Sequence, residues 1–476
     1  MNKMEGPWQV RCRSLVSFHV FLAGLASFSL NVGWWRGEAF TPTGPAAGAV
    51  VSEANHGQSG TRADNQGRFT LSRTGIGPLI VAYEGYYLAS SQGGMVPLQP
   101  MPADHPETPW LDATPGTSAQ ACGNCHLQHF EQWRASPHNL SAESSLLQAV
   151  LAAPHRADQK WNLRSQHPDA VASCAACHSP GSGLEVLIGS DPPNNGQLSG
   201  VHCDFCHKVR ALGSGKPGLT HGRDLFELVR PAQGGRPVVI GPLPDSTRAN
   251  VAYAGLFKSS LFCAPCHEGT VLGAHVYSSF SEWQAWGGNQ SCQGCHMPID
   301  KPREHHHGMT AKLARQSGGL RHSLSLSKTS SGVNIRLELW TDGVGHALPT
   351  GHVDRHLLAL LEARDNNGSL LGPSLGGERV PAWAMNEGHE SPGVLLGRWQ
   401  ENLDEVPLPF WRAGGTWHDT RLFPGKKRIF NWEFPANAIE IRLLVEHRKA
   451  WPATLREYAL IKEGEKIVDS LIKIPE

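Results

Sequence analysis

The sequence predicts a multidomain α+β protein with a small N-terminal β-sandwich, a core that is mostly α-helix and loop, and a C-terminal β-sandwich. Short β-prone runs separated by Gly, Asn and Asp turn signals occupy residues 43–90. Gly- and Pro-rich loops with few periodic segments fill residues 119–320, and alternating apolar residues return in residues 321–476. A chain of 476 residues also exceeds what one hydrophobic core ordinarily supports, so two or three domains are expected.

Residues 1–39 are predicted to be an export signal peptide or an N-terminal anchor. The basic residues Lys3, Arg11 and Arg13 precede an uncharged stretch that is rich in apolar side chains. That stretch is short for a membrane-spanning helix and fits the hydrophobic region of a signal peptide. Cleavage near Ala39 and retention as an uncleaved anchor both stay open. We therefore expect an exported protein, either periplasmic or extracellular at the cell surface.

Residues 43–90 contain three β-prone runs with turn signals between them. Within them, Ala63–Leu71 and Val81–Tyr86 resemble the carboxypeptidase-regulatory-like β-sandwich. This resemblance implies an accessory module that has no chemistry of its own. Residues 91–118 follow with six prolines and are predicted to be a linker.

Five copies of the pattern C-x-x-C-H lie between Cys122 and His296, and we number them motifs 1 to 5 in chain order. C-x-x-C-H is the attachment signature of c-type haem. Two thiols on one turn of chain each reach one vinyl group of the same porphyrin, and the next residue places its imidazole under the iron as the proximal ligand. The sequence predicts five covalently bound c-type haems, each with its iron. The thioether cysteines are Cys122 and Cys125, Cys174 and Cys177, Cys203 and Cys206, Cys263 and Cys266, and Cys292 and Cys295, and the proximal histidines are His126, His178, His207, His267 and His296.

Zinc sites and redox-active disulfides are the alternative interpretations of a C-x-x-C pair. Neither needs a histidine after every second cysteine, so five such histidines favour haem. Ten of the 11 cysteines belong to the motifs, and the eleventh, Cys12, lies in the export segment. The 42 basic and 42 acidic side chains give zero net charge, to which haem propionates would add negative charge. Charge therefore gives no support to a nucleic-acid partner.

Two helices are predicted in the pentahaem core, over Ser141–Ala153 and over Tyr277–Trp286, the second ending at Gly287-Gly288. The loops between them cannot bury a normal apolar core, and we expect the porphyrins to form it instead. The first cysteines of motifs 2 and 3 are 29 residues apart, as are those of motifs 4 and 5. This equal spacing suggests that haems 2 and 3 form one close pair and haems 4 and 5 another.

The C-terminal region is predicted to be a β-sandwich. Val333–Leu339 and Ile439–Val445 alternate apolar and polar residues, which is typical of half-buried strands. Asp365–Gly368 lies between the β-prone runs Leu357–Ala363 and Ser369–Leu371, and this arrangement predicts a hairpin.

The sixth ligands of the irons are sought among the histidines outside the motifs, which number 20 of the 25. Trp133-Arg-Ala-Ser136-Pro-His138 resembles the W-x-x-S-x-H element of the multihaem cytochrome c554 family, which is related to pentahaem nitrite reductase and hydroxylamine oxidoreductase. In that family the histidine is a sixth ligand, so the resemblance implies the same role for His138. A turn residue without a ligand role is the alternative. We expect two histidines on most of the irons.

The end of the core holds further ligand candidates. Cys292–Pro298, followed by His305-His306-His307, resembles the last haem element of the same group. The resemblance implies that one of the three histidines, preferably His306, binds an iron, and a solvated His-rich loop is the alternative. His221, which follows motif 3, is another candidate.

The C-terminal region supplies one more candidate. Gly345-His346-Ala-Leu-Pro349-Thr-Gly351-His352 resembles the G-H-x-x-P-T-G motif of related multihaem cytochromes. The resemblance implies that His346 or His352 reaches back to cap a haem and fixes the sandwich to the core. A turn held by Pro349 and Gly351 explains the same residues without a ligand role.

The leading functional hypothesis is an electron carrier that passes single electrons through five haems. Its partners would be a membrane-side donor and a periplasmic or extracellular acceptor. The first alternative is an oxidoreductase for nitrite or hydroxylamine at one haem with an open coordination position. No C-x-x-C-K replaces a C-x-x-C-H here, and no catalytic residue is assigned. The second alternative is a subunit of an extracellular cytochrome assembly or homo-oligomer, with the two β-modules as contacts.

Overall fold

The computed structural model describes most of the chain from residue 33 onward. The predicted export segment up to residue 32 and residues 111–118 of the predicted linker lie outside the described residues. Among the described residues, no helix is both long enough and apolar enough to cross a membrane. The described ranges are 33–75, 77–108, 110, 122–152, 174, 176–181, 200–271, 273–309, 319–385, 388–410, 414–460 and 464–474.

Eight strands build the N-terminal module: β1 Trp34–Thr41, β2 Gly44–Pro45, β3 Val50–Glu53, β4 Thr61–Arg62, β5 Arg68–Ser72, β6 Leu79–Ala82, β7 Ala89–Ser91 and β8 Gly94–Pro97. They form two four-stranded sheets, one in which β1 pairs with β2, β5 and β8 and one with the order β4-β3-β6-β7. Apolar side chains of both sheets, among them Trp35, Phe69 and Val81, share one core. The predicted β runs are confirmed in β3, β5 and β6.

Two predicted boundaries of this module differ from the strands that the structure describes. Ala39 is fully buried in β1, and β1 pairs with β5 and β8, so an export segment that ends at residue 39 overlaps the first strand of the sandwich. Residues 94–97, assigned to the linker, form β8 in parallel register with β1. Pro97 hid this strand in the sequence, but it stands at the end of an edge strand, where the missing N–H breaks no ladder.

The described part of the core between the two modules includes these short helices: α1 Leu127–Arg134, α2 Ser145–Ala152, α3 Cys203–Cys206, α4 Ala264–His267, α5 Ser279–Trp286 and α6 Cys292–His296. The two predicted helices are confirmed in α2 and α5. α5 ends at Gly287, whose φ of 102° is the left-handed conformation that favours glycine at a helix C-terminus.

A core made mostly of helix and loop is not confirmed, because four two-stranded sheets lie among these helices. The pairs are β9 Val209–Leu212 with β10 Phe226–Leu228, β11 Val239–Gly241 with β12 Val251–Tyr253, β13 Gly269–Val271 with β14 Ala274–Tyr277, and β15 Ile299–Lys301 with β16 Glu304–His305. Strands of two to four residues are too short to show a period in the sequence, and this is why the prediction missed them.

The C-terminal region forms the predicted β-sandwich. A three-stranded sheet with the order β17-β18-β25 faces a six-stranded sheet with the order β21-β22-β19-β26-β27, in which β20 pairs with β19. Alternate residues of the facing strands, among them Leu337, Leu361 and Leu443, fill one core. The elements are β17 Leu320–Lys328, β18 Gly332–Thr341, β19 His356–Arg364, β20 Leu370–Leu371, β21 Arg379–Val380, β22 Ser391–Leu396, β23 Arg398–Glu401, β24 Thr416–Asp419, β25 Lys427–Pro435, β26 Glu440–Arg448, α7 Pro452–Glu457 and β27 Gly464–Lys473.

The predicted hairpin between β19 and β20 is confirmed, with Ala363 opposite Leu371. Its turn is held by one carboxylate, because Asp365 Oδ1 accepts the N–H groups of both Asn367 and Ser369 at 2.9 Å. This is the local bonding that makes Asp a turn residue.

Candidate haem-binding sites

Each C-x-x-C-H motif lies on a turn of helix. The N–H of the histidine donates to the carbonyl of the first cysteine in motifs 1, 3 and 4, at 2.8, 3.0 and 3.0 Å. Motif 5 is helix α6, and the described residues of motif 2 are helical as well. The ten motif cysteines form no disulfide among the described residues. Two free thiols on one turn, followed by an imidazole, are what attachment of a c-type haem requires.

The proximal imidazoles are oriented by backbone carbonyls. His207 Nδ1 lies 2.8 Å from Ile240 O, and His178 Nδ1 lies 2.9 Å from Ser141 O. A carbonyl only accepts, so Nδ1 carries the proton and Nε2 keeps its lone pair. His296 has a corresponding hydrogen bond with the backbone of Met309. This is how proteins fix the tautomer of a metal-binding histidine, and the lone pair on Nε2 is the one that would bind an iron.

Two pairs of imidazoles from different parts of the chain face each other at the spacing of axial ligands. The ring centres of His138 and His267 are 6.2 Å apart, and those of His296 and His346 are also 6.2 Å apart. Two imidazoles on opposite sides of one metal, with metal–nitrogen bonds of about 2 Å, place their ring centres about 6 Å apart. The residues of motifs 4 and 5 therefore fit a haem with two histidine ligands.

Burial keeps the first of these pairs neutral. It lowers the pKa of His138 to about 4 and, together with the neighbouring His138, the pKa of His267 to about 3. Neutral imidazole is the form that binds a metal, so burial prepares both rings for an iron.

The W-x-x-S-x-H element has a structural explanation. Trp133, the penultimate residue of α1, is buried and donates from Nε1 to Val201 O at 2.8 Å, next to motif 3. Ser136 is fully buried, and its Oγ accepts the N–H of Asn139 at 3.3 Å. Trp133 fixes the end of the helix and Ser136 fixes the following turn. Together they direct His138 towards His267 of motif 4.

His346 is held in place by a buried ionic network that joins the core to the C-terminal sandwich. Glu282 of α5 accepts the N–H of Ala347 at 3.1 Å and the hydroxyl of Thr350 at 2.8 Å. Arg421 donates to Glu282 at 2.6 Å and to Asp419 at 2.7 Å. The turn interpretation of Pro349 and Gly351 and the ligand interpretation of His346 are thus compatible. Glu282 and Arg421 belong to no motif, so the sequence did not predict their role.

Among the three consecutive histidines, the geometry favours His307 over the predicted His306. His306 Nδ1 accepts the N–H of Gly308 at 2.9 Å, so its proton lies on Nε2, the nitrogen that would have to bind the metal. His307 Nδ1 lies 2.7 Å from His305 O, which leaves a lone pair on Nε2. Burial and then the nearby His207 lower the pKa of His307 to about 4. His307 therefore lies near the proximal ligand of motif 3.

His221 lies beside motif 2. The next residue, Gly222, has a φ of 49° and packs so closely that a Cβ would meet Ala176 O at 2.0 Å. The ring of His221 also borders Gly269, where a Cβ would meet Nε2 at 3.5 Å. The ligand role of His221 stays a prediction.

The motifs contact one another through their thiols. Cys177 of motif 2 hydrogen-bonds with Cys266 of motif 4, and Cys263 of motif 4 hydrogen-bonds with Cys292 of motif 5. Motif 4 is thus in contact with motifs 2 and 5. The predicted closeness of haems 4 and 5 agrees with these contacts, whereas motif 2, which the spacing paired with motif 3, contacts motif 4.

A polar cluster lies beside motif 2. The rings of Tyr277 and His352 meet edge to face at 5.7 Å. Burial raises the pKa of Tyr277, and the thiols of motif 2 contribute to this shift. Burial, then Arg355 and then His178, lowers the pKa of His352 to about 3. Tyr277 carried no signal in the sequence beyond a helix start, and Arg355 was visible only as the residue that follows the G-H-x-x-P-T-G motif.

Comparisons with known proteins agree with this geometry. Residues 121–208, which contain motifs 1 to 3 and His138, match the family model of cytochrome c554 and c-prime. The fold is similar to the crystal structure of a penta-heme cytochrome c552 from Thermochromatium tepidum, with a TM-score of 0.59 and 20% sequence identity, over 77% of this chain and 100% of that chain. Comparison with curated proteins gives no match. Together with the motifs, these similarities support a multihaem c-type cytochrome with a role in electron transfer.

Proposed function

We propose that this chain is an exported cytochrome that binds five c-type haems, mainly with two histidines on each iron, and relays single electrons between protein partners. The observation that carries this proposal is the pair of opposed imidazoles at axial spacing, His138 with His267 and His296 with His346. An iron with two protein ligands has no open position for a substrate, and this favours a relay over catalysis at that iron. The five motifs, and the haem count of the similar penta-heme cytochrome, support the number five.

The residues that would hold the haems follow from the contacts above. At motif 4 they are Cys263, Cys266, His267 and His138, and at motif 5 they are Cys292, Cys295, His296 and His346. At motif 3 they include Cys203, Cys206 and His207, whose Nδ1 is oriented by Ile240 O. Bound haem supplies a one-electron iron couple, and two histidines favour a low reduction potential. The protein fixes the tautomer and orientation of the histidines, excludes water and, through the packing of motif 4 beside motifs 2 and 5, keeps neighbouring sites close.

The partners proposed for the relay are a redox protein at the membrane as donor and a periplasmic or extracellular acceptor. The export signal predicted from the basic residues before an apolar stretch supports this location. Export also agrees with covalent haem, because c-type haem is attached outside the cytoplasmic membrane.

EPR on the oxidised holoprotein tests the proposal, with a pyridine haemochrome assay for the haem count. We expect five haems per chain and low-spin signals that are unchanged when nitrite, cyanide or hydroxylamine is added, at least for the irons at motifs 4 and 5. Fewer than five haems, or high-spin iron at most sites, would contradict the relay.

The oxidoreductase is retained as a second candidate because of one observation, the polar cluster beside motif 2. The guanidinium of Arg355 acts on the pKa values of His178, His352 and Tyr277, so it lies close to all three side chains. A guanidinium attracts anions, and a neutral phenol and a neutral imidazole can donate or accept hydrogen bonds. Such a cluster is suited to bind a small anion next to the iron of motif 2 and to hold a proton on Tyr277.

Replacing Arg355 with glutamine tests this second candidate. We expect cyanide or nitrite, added to the oxidised holoprotein, to bind at least about tenfold more weakly in Arg355→Gln, which corresponds to about 1.4 kcal/mol for one lost charge-assisted contact. Arg364→Gln, on the C-terminal sandwich, is the matched control and should bind the anion like the unaltered protein. A wild-type protein that binds neither anion at any haem would exclude the oxidoreductase.

A further inference from the structure

We propose that the N-terminal β-sandwich holds the proximal histidine of the third haem in position and thereby sets the reduction potential of that haem. The inference rests on the proposed binding of haem at motif 3. It gives a role to a module for which the sequence implied no chemistry.

The first step is the proximal side of motif 3. Ile240 of β11 contacts His207 twice: its carbonyl lies 2.8 Å from His207 Nδ1, and its N–H donates to His207 O at 2.9 Å. The orientation of the ring therefore depends on the position of one strand. A shift of β11 would lengthen both hydrogen bonds together.

The second step is the anchoring of β11 on the side that faces motif 3. Lys208 directly follows His207, and its Nζ donates to Val238 O at 2.8 Å and to Asp204 Oδ1 at 2.7 Å. The side chains of Lys208 and Asp204 are only 10% and 7% exposed. A buried ion pair keeps its geometry only while both partners stay in place, so motif 3 and β11 form one unit.

The third step is the opposite side of β11, which packs against the N-terminal module. Val238 and Ile240 are fully buried in one cluster with Tyr87 and Met101. The hydroxyl of Tyr87 donates to Arg236 O at 3.1 Å. β12, the partner of β11, is joined to the module by a hydrogen bond of 2.9 Å from the N–H of Leu88 to Val251 O. The strand that orients His207 is thus packed between motif 3 and the module.

The fourth step is a second link to the same module, where one buried carboxylate joins it to the β15–β16 hairpin. Asp245, which is 1% exposed, accepts the N–H of Gly57 at 2.7 Å. Arg303, between β15 and β16, donates from Nη2 to Asp245 Oδ1 at 2.7 Å. Because Asp245 follows β11 closely in the chain, this link holds the same segment in place.

The chemical consequence follows from the hydrogen bond on His207. An imidazole that donates its Nδ1–H to a carbonyl is a more basic metal ligand, and a more basic ligand favours the oxidised metal. Loosening β11 weakens this bond and should raise the reduction potential of the third haem. Among the described residues, the hydrogen bonds and ring contacts given above for motifs 4 and 5 do not include β11, so those haems should keep their potentials.

The test compares two buried aromatic residues of the same module in the holoprotein. Tyr87→Ala removes the packing on β11, whereas Phe69→Ala removes a side chain of similar size from the core between the two module sheets. A spectroelectrochemical titration, with EPR on partly reduced samples, measures each potential. Lys208→Met, which removes a charge next to motif 3, identifies the signal of the third haem.

We expect Tyr87→Ala to raise the potential of the third haem alone, with Phe69→Ala leaving all five potentials unchanged while lowering thermal stability. Asp245→Asn conserves volume and tests the second link of the module to the segment that contains β11 if Tyr87→Ala does not fold. Five unchanged potentials in folded Tyr87→Ala or Asp245→Asn, or an equal shift in Phe69→Ala, would overturn the inference. A wild-type protein with fewer than five haems would contradict the proposed function instead, and the haem count shows this before any variant is compared.

Discussion

Arg421→Ala is expected to lower the free energy of unfolding of the C-terminal sandwich by about 3 kcal/mol, with a fall in Tm of about 10 °C. The side chains of Arg421 and Glu282 are each 7% exposed, so their charges are nearly removed from water. Burial opposes the charge on Arg421, but the hydrogen bonds and charges of Asp419 and Glu282 outweigh this effect and raise the pKa of Arg421 above its ordinary value. Without Arg421, Glu282 becomes a buried carboxylate that has lost its ionic partner.

Chemical denaturation followed by tryptophan fluorescence measures this loss. Arg442→Ala is the matched control, because Arg442 pairs with Asp469 at the same distance of 2.7 Å but on the surface of the same sandwich. Solvent screens the charges of that pair, so its removal should leave the midpoint of the unfolding transition unchanged. Equal small effects of the two variants would show that the buried network does not hold the sandwich to the core.

Local patterns in the sequence were sufficient to predict the C-terminal sandwich and the haem attachment sites. In β18, every second residue from Val333 to Leu339 is buried, and these are the residues whose alternation predicted the strand. The C-x-x-C-H pattern likewise places two thiols and one imidazole on one turn, because its five residues are consecutive in the chain. Both are properties of a few consecutive residues, and this is why a single sequence reveals them.

The choice of sixth ligands depends on contacts between distant parts of the chain, and the sequence predicted it only in part. His138 was predicted to be a sixth ligand because Trp133 and Ser136, which fix its position, lie within the same short sequence element. His306 and His307 are neighbours of the same type, and what separates them is the tautomer that Gly308 and His305 impose through the backbone. No composition or spacing rule contains that information.

The contacts between the motifs show the same limit of prediction from a single sequence. Equal spacing of 29 residues predicted two independent pairs, yet Cys177 of motif 2 meets Cys266 of motif 4 across a long stretch of chain. Residues that follow motif 2 and precede motif 4 must fold back for this contact to form. Two of the short sheets, β9–β10 and β11–β12, lie in this stretch, and their strands are too short to be predicted from alternation.

His138→Ala is expected to convert one of the five irons from low spin to high spin, so that about one fifth of the haem changes its EPR signal. The reason is that His138 and His267 face each other at 6.2 Å, and alanine leaves one side of that position without a nitrogen ligand. Added imidazole should restore the low-spin signal by occupying the space of the lost ring. His105→Ala, a partly exposed histidine paired with Glu107, is the control and should keep the spectrum of the unaltered protein.

A second variant separates a ligand role from a general disturbance of the core. His346→Ala removes the ring opposite His296 and should also convert one iron, at motif 5 instead of motif 4. If each histidine binds a different iron, the double variant converts two fifths of the haem, since ligands at separate sites act independently. Low-spin signals that persist in both single variants would exclude both histidines as ligands. Loss of several signals in one single variant would mean that the histidine supports the packing of the motifs around it and is not the ligand of one iron.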